Sequence, residues 1–169
     1  SSTNEKGIDA GLQAIMAMAM DCGAKMATLW GNEALAQKCS QTAEKMKKCR
    51  RDFNGSKQAA SLNAIAGMID PAQAANETIL PGGAKGFSAF YGYMLEALAL
   101  AGKYTEAMDI MSQYWGAMLD LGATTFWEDF DIDWTKNAAR IDELVPKGKV
   151  DVHKTYGDYC YKGYRHSFC

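Results

Sequence analysis

The stretch that decides the fold is GIDAGLQAIMAMAMDCGAKMATLWGN, residues 7–32. Large apolar side chains recur in it every three to four residues, which is the period of one face of an α-helix. These positions are Ile8, Leu12, Ile15, Met16, Ala19, Gly23, Met26 and Trp30. Gly31 ends the predicted helix, and Asn32 is a good N-cap for the next one, because its side chain can accept hydrogen bonds from a first helical turn. We therefore expect an amphipathic helix whose richest part, Leu12 to Met20, is buried.

The helical pattern returns five more times before residue 122. The further segments are 35–53, 62–69, 70–80, 87–98 and 104–119. Gly31, Gly67 and Gly102 lie in the predicted turns and recur at intervals of 36 and 35 residues. A helical hairpin that repeats with such a period cannot bury its apolar stripe alone, and it is typical of a solenoid or a closed helical toroid. The sequence thus predicts an all-α fold of six helices in three antiparallel hairpins.

Composition and charge limit both the size of the chain and its partners. With 169 residues, 48% of them apolar, the chain is long enough for one globular domain and too short for two. Lys and Arg number 18 against 20 Asp and Glu, and this net charge of −2 indicates neither nucleic acid nor an anionic membrane as a partner. No apolar run reaches the roughly 20 residues that cross a bilayer. The sequence indicates no cofactor.

The five cysteines argue against a disulfide framework. Their number is odd, and none of them forms a C-x-x-C pair. We expect Cys22, Cys39 and Cys49 to be free thiols in the helical core.

The character of the sequence changes after Gly122. The remainder of about 45 residues has little helical period, and a long irregular segment in a compact domain is usually functional. Its sharpest part is GATTFWEDFDIDW, residues 122–134, where four carboxylates and four aromatic residues fall within nine positions. Aromatic faces stack on the C–H faces of a sugar ring, and a carboxylate held among aromatics has its pKa raised by desolvation. The segment predicts a sugar site; the alternative is an acidic surface loop beside a few core aromatics.

Two metal sites are weaker alternatives for this region. Asp129, Asp131 and Asp133 match the first three ligand positions of an EF-hand loop. However, Trp134 replaces its required glycine and Arg140 its final glutamate. The second alternative is a zinc site, but its candidate ligands have spacings found in none of the common zinc fingers. These ligands are His153, Cys160, His166 and Cys169. We therefore expect no metal.

Three strings of this chain carry a family resemblance. They are FYGYMLEAL at 90–98, YWGAMLDLGATTFWE at 114–128 and GDYCYKGYRHSFC at 157–169. Together they resemble the catalytic domain of bacterial α-L-rhamnosidases, glycoside hydrolase family 78. The resemblance covers most of the chain, weakly in its first third and strongly in its second half. Its most specific part is the GATTxWE string.

The resemblance implies an (α/α)6 toroid and hydrolysis, with inversion, of a terminal rhamnose or a related sugar. It implies that Glu128 is the catalytic general base, which activates water, and that Trp127 lies beside it in the pocket wall. With the composition of the loop, this makes Trp127, Asp129 and Trp134 the predicted substrate-binding residues. An inverting enzyme needs an acid roughly 6.5–9.5 Å from its base, and no segment here matches the acid motif of the family. The family histidine that contacts substrate follows a Ser-x-Cys string, here 167–169, so His166 is not its equivalent.

We therefore expect residues 1–169 to be a single partial domain of a larger glycosidase, cut at both ends and inactive alone. Residues 7–121 would supply three of six hairpins, and residues 122–169 the active-site loop region. The expected partner is a carbohydrate, and the two open lateral faces of three hairpins predict a homodimer of this piece. Localisation is left open, a periplasmic or secreted parent being one option. The alternative function is an α-hairpin solenoid that binds other proteins, which explains the period but not the GATTxWE string.

Overall fold

The computed structural model describes residues 4–49, 51–88, 92–127 and 130–152. These residues form six α-helices and, apart from one isolated parallel bridge between Ala138 and Val150, no β-structure. The all-α class predicted from the sequence is confirmed. The helices are α1 Glu5–Leu29, α2 Glu33–Lys48, α3 Lys57–Ile65, α4 Pro71–Ala74, α5 Tyr93–Leu100 and α6 Tyr104–Asp120. The chain divides into two compact units, Ser1–Pro81 with Tyr93–Lys103 and Gly82–Gly92 with Tyr104–Cys169. The single partial domain stays a prediction.

Helices α1 and α2 of the first unit form an antiparallel hairpin. At the turn, the Asn32 side chain accepts a hydrogen bond from the Leu35 N–H, as predicted for an N-cap. At the opposite end, the side-chain amide of Gln13 on α1 donates to the carbonyls of Met46 and Cys49, each at 2.8 Å. The last carbonyls of a helix have no partner within it. Gln13 therefore joins the two helices and completes the end of α2.

Helix α3 packs on α1 through small residues. A Cβ atom on Gly7 would lie 2.8 Å from the Cβ of Ser56, so this close approach requires glycine. The buried amide of Asn63 on α3 donates to the carbonyl of Ala10 on α1 at 3.0 Å. The contacts follow the same order along α1 and α3, since residue 7 lies beside residue 56 and residue 10 lies beside residue 63. Helix α3 therefore runs parallel to α1.

The core of the first unit lies around α3, which packs against both α1 and α5. One core cluster consists of the buried residues Ala14, Leu62 and Ala66, with Met18, Met68 and Tyr93 packed against them. The odd-numbered helices α1, α3 and α5 thus follow one another side by side. A stack of helical hairpins has this arrangement, because one helix of each hairpin contributes to a common layer.

Four helical segments have bounds that differ from the predicted ones, and one of them is α3, which spans Lys57–Ile65 where 62–69 was predicted. Helix α2 ends at Lys48, before Phe53, and α5 begins only at Tyr93, after Phe87. Helix α4 is a single turn that continues as a π-helical turn, Ala75–Ile79. Phe87 is buried although it lies in a loop. The apolar spacing in the sequence therefore extends beyond the helices themselves, because side chains of the adjoining loops also pack into the core.

The predicted burial of the large apolar face of α1 is wrong. The helix buries its small residues, which are Gly7, Ala10, Gly11, Ala14, Ala17 and Ala27. Its large apolar side chains form an exposed band, called here the α1 stripe, made of Ile8, Leu12, Ile15, Met16, Met26, Leu29 and Trp30. Within it, Leu12 is 60% exposed and Leu29 is 85% exposed. The close approach of α3 selects the small face for burial. No helix of the described ranges, α1 included, is long and apolar enough to cross a membrane.

The three cysteines of the α1–α2 hairpin, Cys49 being the residue after α2, are free as predicted, but they do not lie in the core. Cys22 and Cys49 are exposed, and Cys39 is partly buried. Their location follows from the burial of the small-residue face of the hairpin.

Lys57→Met is expected to stabilise the protein at neutral pH. Lys57 is buried at the start of α3, and this burial lowers its pKa from 10.5 to about 8. The folded state therefore binds the proton less tightly than the unfolded chain, and the full penalty applies below a pH of about 8. We expect a gain on the order of 1 kcal/mol at neutral pH, which disappears as the pH rises towards 10.5.

Urea denaturation of both proteins across this pH range measures the difference directly. The exposed Lys38→Met is the matched control, since it removes a lysine charge without relieving burial. A pH-independent difference for Lys57→Met would show that burial of the charge is not its cause.

Candidate functional site

The predicted sugar-site segment begins where α6 ends, in the second unit. Gly122 turns the chain with a φ of +87°, and a Cβ atom there would lie 2.8 Å from the Asp142 carboxylate, so the position requires glycine. The Arg140 guanidinium makes two hydrogen bonds to the Asp142 carboxylate and donates a third to the Asp120 carbonyl. A cation at the last carbonyls of a helix complements its dipole. These contacts therefore fix the backbone at the point where the loop leaves α6.

An aromatic cluster, made of Tyr114, Trp127, Phe130 and Trp134, holds the next part of the segment. Phe130 lies at its centre, with edge-to-face contacts to the other three at ring-centroid distances of 5.3, 5.7 and 5.8 Å. The Tyr114 hydroxyl donates to the Phe130 carbonyl at 2.6 Å. The backbone N–H of Trp127 donates to the Met118 sulfur at 3.3 Å. Two buried side chains of α6 thus hold the backbone of the loop at two points.

The four predicted site residues fall into two groups. Glu128 and Asp129 lie outside the described residues. Trp127 is 7% exposed and Trp134 is half-buried, and both contact Phe130. The structure therefore brings the two predicted tryptophans into one cluster, and the residues on either side of the two acids are both anchored.

Two further carboxylates of the segment are engaged by neighbours within the loop region. Asp131 caps the short 3₁₀ helix Ile132–Lys136 by accepting a hydrogen bond from the Asp133 N–H. Asp133 pairs with the ammonium groups of Lys136 at 2.7 Å and Lys85 at 2.8 Å. Hydrogen bonds from Lys136 and Lys85 lower the pKa of Asp133 to about 2. Asp133 is therefore ionised at neutral pH and cannot serve there as a proton donor.

This arrangement does not suit calcium, because two lysines already occupy the Asp133 carboxylate. Within residues 4–49, 51–88, 92–127 and 130–152, no three His, Cys, Asp or Glu side chains are grouped so that they could hold a metal ion. Asp129 and the zinc candidates between His153 and Cys169 lie outside these ranges.

Sequence reasoning missed three residues that shape the loop. The sequence places Tyr114 and Met118 in the sixth helical segment and in the family string 114–128, but it gives neither residue a role in holding the loop. Their separation of four places them on one helix face, and this was the available signal. Lys85 lies 48 positions from Asp133 in a separate loop. No local pattern could have paired these two residues.

Tyr114→Phe is expected to destabilise the second unit by about 1–3 kcal/mol, because it leaves the buried Phe130 carbonyl without its hydrogen-bond donor. The ring and its packing are kept, so the change tests the hydroxyl alone. Tyr104→Phe is the matched control on the same helix, since Tyr104 is 66% exposed and should change stability by less than about 0.5 kcal/mol. Urea denaturation measures both; equal effects would contradict the anchoring role of Tyr114.

No protein-family model matches the chain, and comparisons with curated proteins and with solved structures found no match either. The resemblance to the rhamnosidases therefore rests on the three strings quoted from the sequence. The described residues cover 92–98 and 114–127 of those strings.

Proposed function

We propose that this chain contributes the general-base loop of an inverting α-L-rhamnosidase-like glycoside hydrolase. Glu128 would take a proton from the attacking water while a carboxylic acid elsewhere in the enzyme protonates the leaving oxygen. The substrate would be a glycoside with a terminal rhamnose or a related sugar. Trp127, Asp129 and Trp134 would line its binding site.

The observation that carries the proposal is the anchoring of the loop on both sides of residues 128–129. Trp127 is tied to α6 through the Met118 sulfur, and Phe130 through the Tyr114 hydroxyl. A catalytic group must be held within about 0.5 Å of its productive position. Hydrogen-bonded anchors at 127 and 130 restrict the backbone on both sides of the two acidic residues, whereas an acidic surface loop has no need of them.

The other acids of the loop are less suited to the role of base. Asp131 is used as a helix cap, and Asp133 forms ion pairs with two lysines that lower its pKa. A carboxylate with a depressed pKa is a poor proton acceptor, because the efficiency of a base follows its pKa. This favours the acids at 128 and 129, and the GATTxWE string favours Glu128.

The packing of the first unit supports the toroid as its architecture. Helices α1 and α3 run in parallel, and α3 packs on α5, as expected for one layer of a hairpin array. In a closed ring, each hairpin packs on two neighbours. The exposed α1 stripe is the kind of face that a further hairpin would cover.

The proposal is tested with an aryl α-L-rhamnoside and two proteins, the full-length hydrolase that contains this sequence and the 169-residue chain alone. The full-length protein is expected to release β-L-rhamnose first, which proton NMR distinguishes from the α anomer. The chain alone is expected to be inactive, because no segment of it matches the family acid motif and acid assistance contributes about 10²–10⁴-fold. Release of the α anomer, or ordinary turnover by the chain alone, would refute the assignment.

A protein-binding solenoid is the second candidate, and the exposed α1 stripe is the observation that favours it. Large exposed apolar patches mark interaction surfaces in soluble proteins. This function predicts that a charged residue in the stripe, such as Leu12→Lys, abolishes partner binding while Glu128→Gln has no effect. The hydrolase predicts a severe loss of activity for Glu128→Gln.

A further inference from the structure

A cleft of about 200 Å³ opens in the first compact unit, and no residue of the aromatic cluster lines it. Its apolar lining includes Phe53, Met68 and Ile69, and Asn63 contributes a polar group. Drug-sized ligands occupy roughly 300–1,000 Å³. The cleft is therefore suited to a smaller molecule, of about the size of a single sugar ring.

Asn63 is the buried polar side chain of this cleft, with 3% of its surface exposed. Its amide nitrogen donates to the carbonyl of Ala10 at 3.0 Å and to that of Ala59 at 2.8 Å. These two acceptors fix the orientation of the amide, because an oxygen in the place of the nitrogen would face two carbonyls. Within the described part of the chain, the amide oxygen of Asn63 receives no hydrogen bond. A buried acceptor without a donor is unfavourable, so it favours a ligand that carries one.

The rim of the cleft adds charged groups that lie in solvent. Arg51 donates through Nε to the Gln13 side chain at 2.6 Å, which fixes its guanidinium at the rim. Glu77 accepts from the Gln73 amide through Oε2 at 3.0 Å and keeps its second oxygen as an acceptor. Both charges are exposed and therefore weak anchors for an ionic ligand. They can still exchange hydrogen bonds with hydroxyl groups.

We propose that this cleft binds the ring of a neutral pyranose sugar. One sugar hydroxyl donates to the amide oxygen of Asn63, and others bond to Arg51 and Glu77. The C–H face of the ring packs against Phe53, as apolar faces do against aromatic rings. A zwitterionic amino acid fits less well, because among the described residues that line the cleft the one deeply buried polar group is the neutral amide of Asn63. None of the described lining residues belongs to the loop region 122–169, and the proposal does not depend on the role of Glu128.

The test is a titration of the nitrogen-15-labelled chain with methyl α-L-rhamnopyranoside or methyl α-D-glucopyranoside, followed through the side-chain amide signals of Asn63. We expect a saturable shift with a Kd in the millimolar range. Ile69→Trp fills the cleft and should weaken binding at least about tenfold. Phe53→Leu, a milder change, should weaken it several-fold. The matched control is Ile8→Trp, which adds the same bulk to the exposed α1 stripe and should leave the Kd unchanged.

Three outcomes would overturn the proposal. The first is the absence of any Asn63 shift with either sugar. The second is an equal Kd in wild type, Ile69→Trp and Phe53→Leu, since binding would then occur elsewhere. The third is a saturable response to glycine without one to the sugars, which would assign the cleft to amino acids. Binding by either sugar that is lost in Ile69→Trp and kept in Ile8→Trp supports it.

Discussion

Glu128→Gln in the full-length hydrolase proposed for this chain is expected to lower kcat for an aryl α-L-rhamnoside by about 10²–10⁴-fold, with a much smaller change in KM. Glutamine keeps the shape of the side chain but cannot accept a proton from the attacking water. An interaction needed only in the transition state appears in kcat and not in KM. Steady-state kinetics, with circular dichroism to verify the fold, measures the effect.

Two further experiments separate loss of the base from general damage. Glu143→Gln is the matched control, because Glu143 is an exposed glutamate of the same unit that pairs with Arg140. It should retain full activity. Azide needs no base to attack, so in Glu128→Gly it should restore cleavage and form β-L-rhamnosyl azide. An active Glu128→Gln enzyme would move the base to Asp129, or to Asp131 in spite of its role as a helix cap.

The starts of α2 and α4 could be predicted from the sequence because the capping residues that determine them are local. Asn32 caps α2 as expected, and Asp70 accepts from the Gln73 N–H at 2.9 Å with Pro71 in the first turn of α4. A cap involves residues only three positions apart. The predicted end of α2 at Phe53 and the predicted start of α5 at Phe87 are wrong, because apolar spacing does not distinguish a helical face from a packed loop.

The buried face of α1 could not be predicted, because the helix has two faces that both lack charge over much of their length. Hydrophobicity alone selects the face of Leu12 and Leu29. Packing buries the face of small residues instead, because residues such as Gly7 and Ala10 let α3 approach closely. The close packing of α3 against the small residues of α1 therefore outweighs the free energy that burial of the large apolar side chains would contribute.

The aromatic and acidic composition of the loop identified the candidate site, but the sequence did not show what holds it. The contacts from Tyr114 to Phe130 and from Lys85 to Asp133 depend on the tertiary fold. Composition also could not separate the acids by role. The neighbouring side chains distinguish Asp133 from the other acids, because hydrogen bonds from two lysines lower its pKa.

Self-association of the 169-residue chain is the second large effect that we expect. The α1 stripe exposes on the order of 800 Å² of side-chain surface, about what one partner contributes to a standard stable interface. The largest patch on a typical monomer is roughly 300–600 Å². Exposed apolar residues also occur on α6, and these are Tyr104, Met108, Met111 and Leu119. A two-fold dimer in which each copy covers the stripe of the other is the simplest arrangement that removes this surface from water.

Light scattering at micromolar concentration should therefore give twice the mass of 18.4 kDa. The double variant Leu12→Lys with Met26→Lys should be monomeric, because it places an ammonium group in each half of the stripe. Both side chains are exposed, so the substitutions should leave the fold intact. Gln37→Lys, which adds a charge at an exposed position of α2, is the control and should remain dimeric. A monomeric wild-type chain would show that the stripe does not drive association, and a dimeric double variant would place the interface on another face.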